Sequence, residues 1–231
     1  MIDFVGKRSW FFFISAIMLI ASIASLAIFG LKSGVDFAGG TSLTLEFSSP
    51  VEQDQLRQEL AYLGYDKTTI QRTAEDSFFV RLEEITPEER DKLKDDMEAN
   101  LGCQIKIVDY YSVSPTVGTE TARNAGIAVA IASVAMLFYI VWAFRRMPRP
   151  FRWGVCAVIA LLHDVLIVVG IFSFLGWLVG VEINALFITG LLAVVGYSIN
   201  NTVVVYDRIR ENVSKNISPD FAQTVNFSIL E

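Results

Sequence analysis

Ser9 to Phe29 runs for 21 residues without a charge. At about 1.5 Å per residue, a helix of that length crosses a hydrocarbon core of about 30 Å. Three more apolar runs follow. Ala125–Phe144 is uncharged and lies between Arg123 and Arg145. Trp153–Val181 is apolar apart from His163 and Asp164. Ile183–Tyr206 is uncharged but carries Asn184, Ser198, Asn200, Asn201 and Thr202. No soluble core of 231 residues needs four such helices, so the pattern predicts four transmembrane helices. The rival reading of the first run is a cleaved signal peptide, with Ser25-Leu26-Ala27 as its cleavage site. That run exceeds the roughly 7–15 apolar residues of a signal peptide, which favours a retained anchor.

Orientation follows from the basic residues in short connections. Arg145, Arg146, Arg149 and Arg152 crowd one connection, split by Pro148 and Pro150, whereas Leu178–Glu182 has no Lys or Arg. The arginine-rich connection and the N-terminus are therefore expected in the cytoplasm, and the long segment after the first helix outside it. That segment, Lys32–Glu120, holds 9 basic and 18 acidic residues. It offers no basic patch for nucleic acid. One histidine and two cysteines, Cys103 and Cys156, are too few for a typical structural zinc or iron–sulfur site. The two cysteines fall on opposite sides of the membrane and cannot pair within one chain. No metal and no cofactor are expected.

The outer segment reads as β-α-β-β-α-β. Thr41–Phe47 alternates as a strand, and Val51–Leu63 has helical spacing stopped by Gly64. Thr68–Thr73 and Ser77–Leu82 are strands joined by a tight polar turn. Thr86-Pro87-Glu88-Glu89 opens a helix with a capping box and a proline in its first turn, and Gly102 closes it. Gln104–Val113 is the last strand. This order is the signature of a ferredoxin-like split βαβ fold. No catalytic constellation appears on it. The glycines of Gly34–Thr41 imitate a phosphate-binding loop, but Gly40 stands where the lysine belongs. They fit a turn with positive φ between helix and strand.

The fold class expected is an α-helical membrane protein with an inserted ferredoxin-like α+β extracytoplasmic domain. Residues 1–30 are the N-terminus and first transmembrane helix, and 31–122 the outer domain. Residues 123–206 are helices two to four, and 207–231 a cytoplasmic segment leading to a fifth helix.

Charged groups inside lipid are costly and mark bundle interiors or ion paths. His163 and Asp164 sit near mid-membrane on the third helix. They read either as a proton- or ion-linked site or as interhelical hydrogen bonding. Neighbours on a helix point to different sides, so the two are not expected to share one partner. On the fourth helix Gly196 and Asn200 share a face, as do Tyr197 and Asn201, which suits close helix contact. Asp207, Arg208 and Arg210 mark its cytoplasmic exit.

Four stretches carry a family resemblance. They are Val35-Asp36-Phe37-Ala38-Gly39-Gly40-Thr41 after the first helix, Ser114-Pro115-Thr116-Val117-Gly118 before the second, His163-Asp164 in the third, and Gly196 to Asn212 in the fourth. Together they resemble the SecF family of the bacterial SecDF protein-translocation complex, over essentially the whole chain. The resemblance implies a multi-pass protein of the plasma (inner) membrane that pairs with SecD and acts with the SecYEG channel, with YajC and YidC as further partners. It implies that emerging preproteins are drawn outward by the proton motive force rather than by an enzymatic reaction. It also implies six membrane helices, of which four are visible; Val225–Glu231 resembles the approach to the fifth, so Glu231 is expected to be a truncation. The family pattern reads Gly-Tyr-Ser-x-Asn-Asp-Thr, and its aspartate belongs to the proton pathway. Here that position is Asn201, which cannot titrate, leaving Ser198, Asn200, Asp164 and His163 as the other polar candidates. The competing reading is a small-molecule exporter of the resistance–nodulation–division type. That reading requires a second helix repeat or a larger outer domain. A sensor or scaffold is a third reading and requires a cytoplasmic signalling domain.

Overall fold

The Phe78 ring in the core of the sheet-bearing unit is fully buried and meets Phe47 edge to face, with centroids 5.7 Å apart. The computed structural model describes residues 3–231, which divide into two units, Ser33–Asn124 and residues 3–32 with Ala125–Glu231. The first holds a short helix α2 (Val35–Ala38), strand β1 (Gly40–Phe47), helix α3 (Gln53–Tyr62), strands β2 (Thr69–Ala74) and β3 (Ser77–Leu82), helix α4 (Pro87–Leu101) and strand β4 (Ile105–Val113). Sheet order is β2-β3-β1-β4 with every neighbour antiparallel, the split βαβ arrangement expected from the sequence. Alternation explains the core. Leu43, Leu45 and Phe47 of β1 and Phe78, Val80 and Leu82 of β3 share one face, covered by Leu56 and Leu60 of α3 and Leu93 and Met97 of α4.

The capping signals behave as their chemistry requires. Thr86 accepts from the Glu89 amide, Glu89 accepts from the Thr86 amide, Pro87 opens α4, and Gly102 closes it at φ 66°. Helix α3 starts two residues later than its apolar spacing suggests. Val51 is buried ahead of the helix and Glu52 takes the N-cap.

Four helices among the described residues are long and apolar enough to cross a membrane. They are α1 (Arg8–Phe29), α5 (Pro115–Ala143), α6 (Pro150–Val179) and α7 (Ala185–Ser214), followed by the shorter α8 (Phe221–Leu230). Their outward side chains are large and apolar; Phe12, Phe138 and Leu186 are about 70 % exposed or more. Lipid, not water, suits such a surface. Helix α5 begins ten residues before its uncharged run. Pro115 fits the first turn, and a helix does not stop where charges begin. Helix α7 likewise continues past Tyr206, because Asp207 to Lys215 pair along its own surface.

Candidate functional site

Helices α1 and α6 lie side by side and parallel, at a constant sequence offset of 148. Ser15 meets His163, Ser22 meets Gly170, Ser25 meets Ser173, and Phe29 stacks on Trp177 at 4.7 Å. Small residues make this approach possible: Ser22 and Ser25 are the buried residues of α1, and Gly170 and Ser173 are buried in α6. The Ser25 hydroxyl donates to the Ser173 oxygen at 3.2 Å. Ser173 in turn reaches the carbonyls of Ser25 at 3.0 Å and Gly30 at 2.6 Å. At the end of the seam the Ile183 amide donates to the Lys32 carbonyl at 2.8 Å, and Lys32 lies 3.8 Å from Glu182.

This seam positions the intramembrane pair. His163 Nε2 lies 2.5 Å from the Ser15 hydroxyl, and its Nδ1 lies 2.9 Å from Asp164 Oδ1. The two side chains therefore reach each other, and the histidine also hydrogen-bonds across to α1. The result is a linear chain, Ser15–His163–Asp164. An imidazole between a hydroxyl and a carboxylate can accept a proton at one nitrogen and release it at the other. The Asp164 side chain is 43 % exposed on the outer surface of this unit.

Helix α7 separates its polar residues onto two faces. Ser198, with Val195 and Ile199, is buried; Val195 and Ile199 pack on Leu161 of α6. Asn200, Asn201, Gly196 and Tyr197 are exposed. Asn200 and Asn201 are thus both exposed, whereas Ser198 is buried. Further along, Arg210 pairs with Asp207, and Arg208 pairs with Glu211 at 2.7 Å and Glu231 at 2.7 Å.

One residue escaped the sequence reading. Asn212 is 1 % exposed and donates to Ser228 at 3.0 Å and to Glu231 at 3.1 Å, fastening α8 onto α7. That bond, ahead of the Arg208 charge, holds the Glu231 carboxyl below its ordinary pKa. A buried amide in a charged helix end carries no local signal. Only the small residues Thr224 and Ser228, spaced four apart on α8, hinted at a polar contact there.

In the sheet-bearing unit two of the motifs touch. Gly39 has φ 73° and Gly40 φ 112°. A β-carbon on Gly39 would lie 2.5 Å from Pro115 Cα, and one on Gly118 would lie 2.8 Å from the Gly39 nitrogen. The glycines thus serve both positive φ and backbone contact. Beside them the Tyr111 hydroxyl donates to Asp36, which pushes the phenol pKa up. Among the described residues no group of three or more His, Cys, Asp or Glu is placed to hold a metal ion.

A polytopic bundle carrying a split βαβ unit between its first two long helices, with a glycine turn on the start of the second, defines a recognisable class of membrane protein. Residues 93–231 match the family described as protein export membrane protein SecD/SecF, C-terminal, and residues 24–51 match the SecD/SecF GG motif. The chain belongs to this SecD/SecF family. It is 42 % identical to the protein translocase subunit SecF of Thermobaculum terrenum, an alignment covering 100 % of this chain and 76 % of that protein. It is 32 % identical to the translocase subunit SecDF of Bacillus subtilis, over 98 % of this chain and 30 % of that one. The crystal structure of SecDF, a translocon-associated membrane protein from Thermus thermophilus, superposes with a TM-score of 0.82 at 32 % identity. It covers 99 % of this chain and 30 % of the SecDF chain.

Proposed function

We propose that the chain acts as a SecF-type accessory subunit of protein export, pairing with SecD. The observation that carries this reading is the likeness to SecF and SecDF proteins along the whole chain, outer unit and helices together. The SecDF relatives, which span both names in one chain, support the pairing with SecD. No observation favours a small-molecule exporter.

In the finer reading the protein resides in the bacterial inner membrane with its N-terminus and Arg145–Arg152 in the cytoplasm. Residues 31–122 stand outside as the outer domain, 123–206 form helices two to four, and 207–231 return to the cytoplasm. It works beside the SecYEG channel, with YajC and YidC as neighbours, and helps draw preproteins outward using the proton gradient. It is a transport subunit rather than an enzyme and carries no cofactor.

Asp164 is the only carboxylate within the four apolar runs. With His163 and Ser15 beside it, it forms the charged end of an intramembrane hydrogen-bonded chain, the candidate proton site of this chain. Asn200 and Asn201 present neutral hydrogen-bonding groups on the exposed face of α7, where a helix of the partner would meet them. Asp36, Gly39 and Gly40 fix the turn beneath the outer domain, while Asp207, Arg208 and Arg210 anchor the far end of α7.

Affinity purification of the chain from native membranes in gentle detergent, with mass spectrometry of what accompanies it, tests the assignment. Recovery of a SecD-like protein with SecYEG is expected. Recovery of a periplasmic adaptor or an outer-membrane duct instead would contradict it.

A further inference from the structure

The connection between α5 and α6 carries Arg145, Arg146 and Arg149, and the first turn of α6 carries Arg152, all exposed. None of the four is ion-paired among the described residues. Together with the last turns of α7 it encloses an open groove of about 980 Å³, lined by Trp142, Arg145, Arg146, Asp207, Arg210 and Glu211 among others. The acids in this groove are already compensated. Asp207 pairs with Arg210, and Glu211 is held by Arg208 at 2.7 Å and Lys215 at 2.5 Å. The loop arginines are the charge left over.

The connection is built rather than loose. Phe144 is 2 % exposed, stacks on Trp153 at 6.1 Å and meets Tyr206 edge to face at 5.7 Å. Met147 is buried, and the Trp153 indole donates to the Pro148 carbonyl at 3.2 Å. Arg149 stands in the left-handed region at φ 55° between two prolines. The Arg145 guanidinium lies 4.8 Å from the Trp142 ring centroid and donates to the Trp142 carbonyl at 2.9 Å.

We propose that this groove binds the headgroup of an anionic phospholipid, with Arg145 and Arg146 on its phosphodiester. Guanidinium groups match phosphate oxygens in a fork, and basic pockets at helix ends suit such headgroups. An apolar track leads away from the groove along the membrane-facing side. Phe138, one turn from Trp142 on α5, is 69 % exposed, Trp142 63 % and Phe151 64 %. A free phosphate has no use for that track, whereas acyl chains lie along it. Trp142 and Trp153 sit where indoles concentrate, at the lipid boundary.

The test is reconstitution of the chain into nanodiscs of equimolar phosphatidylglycerol and phosphatidylcholine, then extraction in mild detergent and counting of retained lipid by mass spectrometry. The wild type is expected to retain phosphatidylglycerol over phosphatidylcholine by about tenfold or more. R145Q/R146Q removes most of that preference, at about fivefold per arginine. K7Q/R8Q, which removes bases outside the groove, leaves the preference intact. Excess inorganic phosphate also leaves it intact; displacement by inorganic phosphate would mark a free-anion site and overturn the proposal. Equal retention of the two lipids, or an unchanged preference in R145Q/R146Q, would overturn it too. Should that variant not fold, the wild type decides. Its preference must fall with rising salt, as screened charges require, and a salt-independent preference contradicts the proposal.

Discussion

Gly170 sits so close to Ser22 that a β-carbon on it would lie 2.3 Å from the Ser22 Cβ and 2.5 Å from the Ser22 Cα. Helices α1 and α6 can keep their parallel register only while residue 170 has no side chain. Gly170→Ala should force them apart and destabilise the bundle by about 1–3 kcal/mol, the usual cost of overpacking. Unfolding in detergent would measure it. Adding Ser22→Gly should restore only part of the loss, because the clash with the backbone carbon remains.

The turn at Gly39 leans on Gly118, where an added β-carbon would meet the Gly39 nitrogen at 2.8 Å and the Phe37 carbonyl at 3.0 Å. Both obstacles are backbone. Gly118→Ala is therefore expected to destabilise the outer unit by about 1–3 kcal/mol. Hydrogen exchange at Phe37, Ala38 and Gly39, whose amides bond within the turn, should accelerate. Unchanged exchange there would mean that the two motifs touch without supporting each other.

Asn212 is the buried link between α7 and α8. Asn212→Leu removes the donor and leaves the Ser228 hydroxyl and Glu231 carboxylate without it. A loss of about 1 kcal/mol is expected for the missing hydrogen bonds, since Ser228 keeps its bond to the Thr224 carbonyl and Glu231 stays exposed and paired with Arg208. Limited proteolysis near Lys215–Asp220 reads the effect, since α8 should detach before the four long helices unfold. Wild-type protection in the variant would show that the remaining contacts suffice.

In the outer unit Glu98 accepts the Ile105 amide at 2.7 Å and lies 3.4 Å from Lys94. The amide, with help from the lysine, holds its carboxyl below the ordinary value of 4.5. A carboxyl depressed by folding adds stability above its unfolded pKa and loses it as pH falls through the folded value. Glu98→Gln should thus be less stable than wild type at neutral pH. The gap should close in acid, below the depressed pKa. Thermal unfolding at both pH values checks this, and a pH-independent gap would contradict it.

The sheet and the four long helices were legible because periodicity and hydropathy reflect which face is buried. Leu43, Leu45 and Phe47 alternate because β1 has one covered face. Thr86 and Gly102 mark α4 because their local hydrogen bonds and φ are sequence-encoded. Helix ends were less legible. Hydropathy falls at Arg123 and Asp207, yet the backbone bonds of α5 and α7 continue through them. Among the candidate residues, His163 and Asp164 stood out as charges in apolar sequence, but their link to Ser15 did not. It depends on a register between helices 148 residues apart. The burial of Asn212 is likewise set by tertiary contact.

In the proposed function this subunit couples export to the proton gradient through Asp164 and His163. The direct measurement is translocation of a preprotein in proteoliposomes holding SecYEG, its ATPase motor and the SecD-paired protein, with and without an imposed proton gradient. Asp164→Asn should abolish the gradient-dependent increment while leaving ATP-driven translocation unchanged, and Asn201→Asp should raise that increment. A full increment in Asp164→Asn would contradict the account. No response to Asn201→Asp would remove position 201 from the proton path and leave Asp164 or residues of SecD as the candidates.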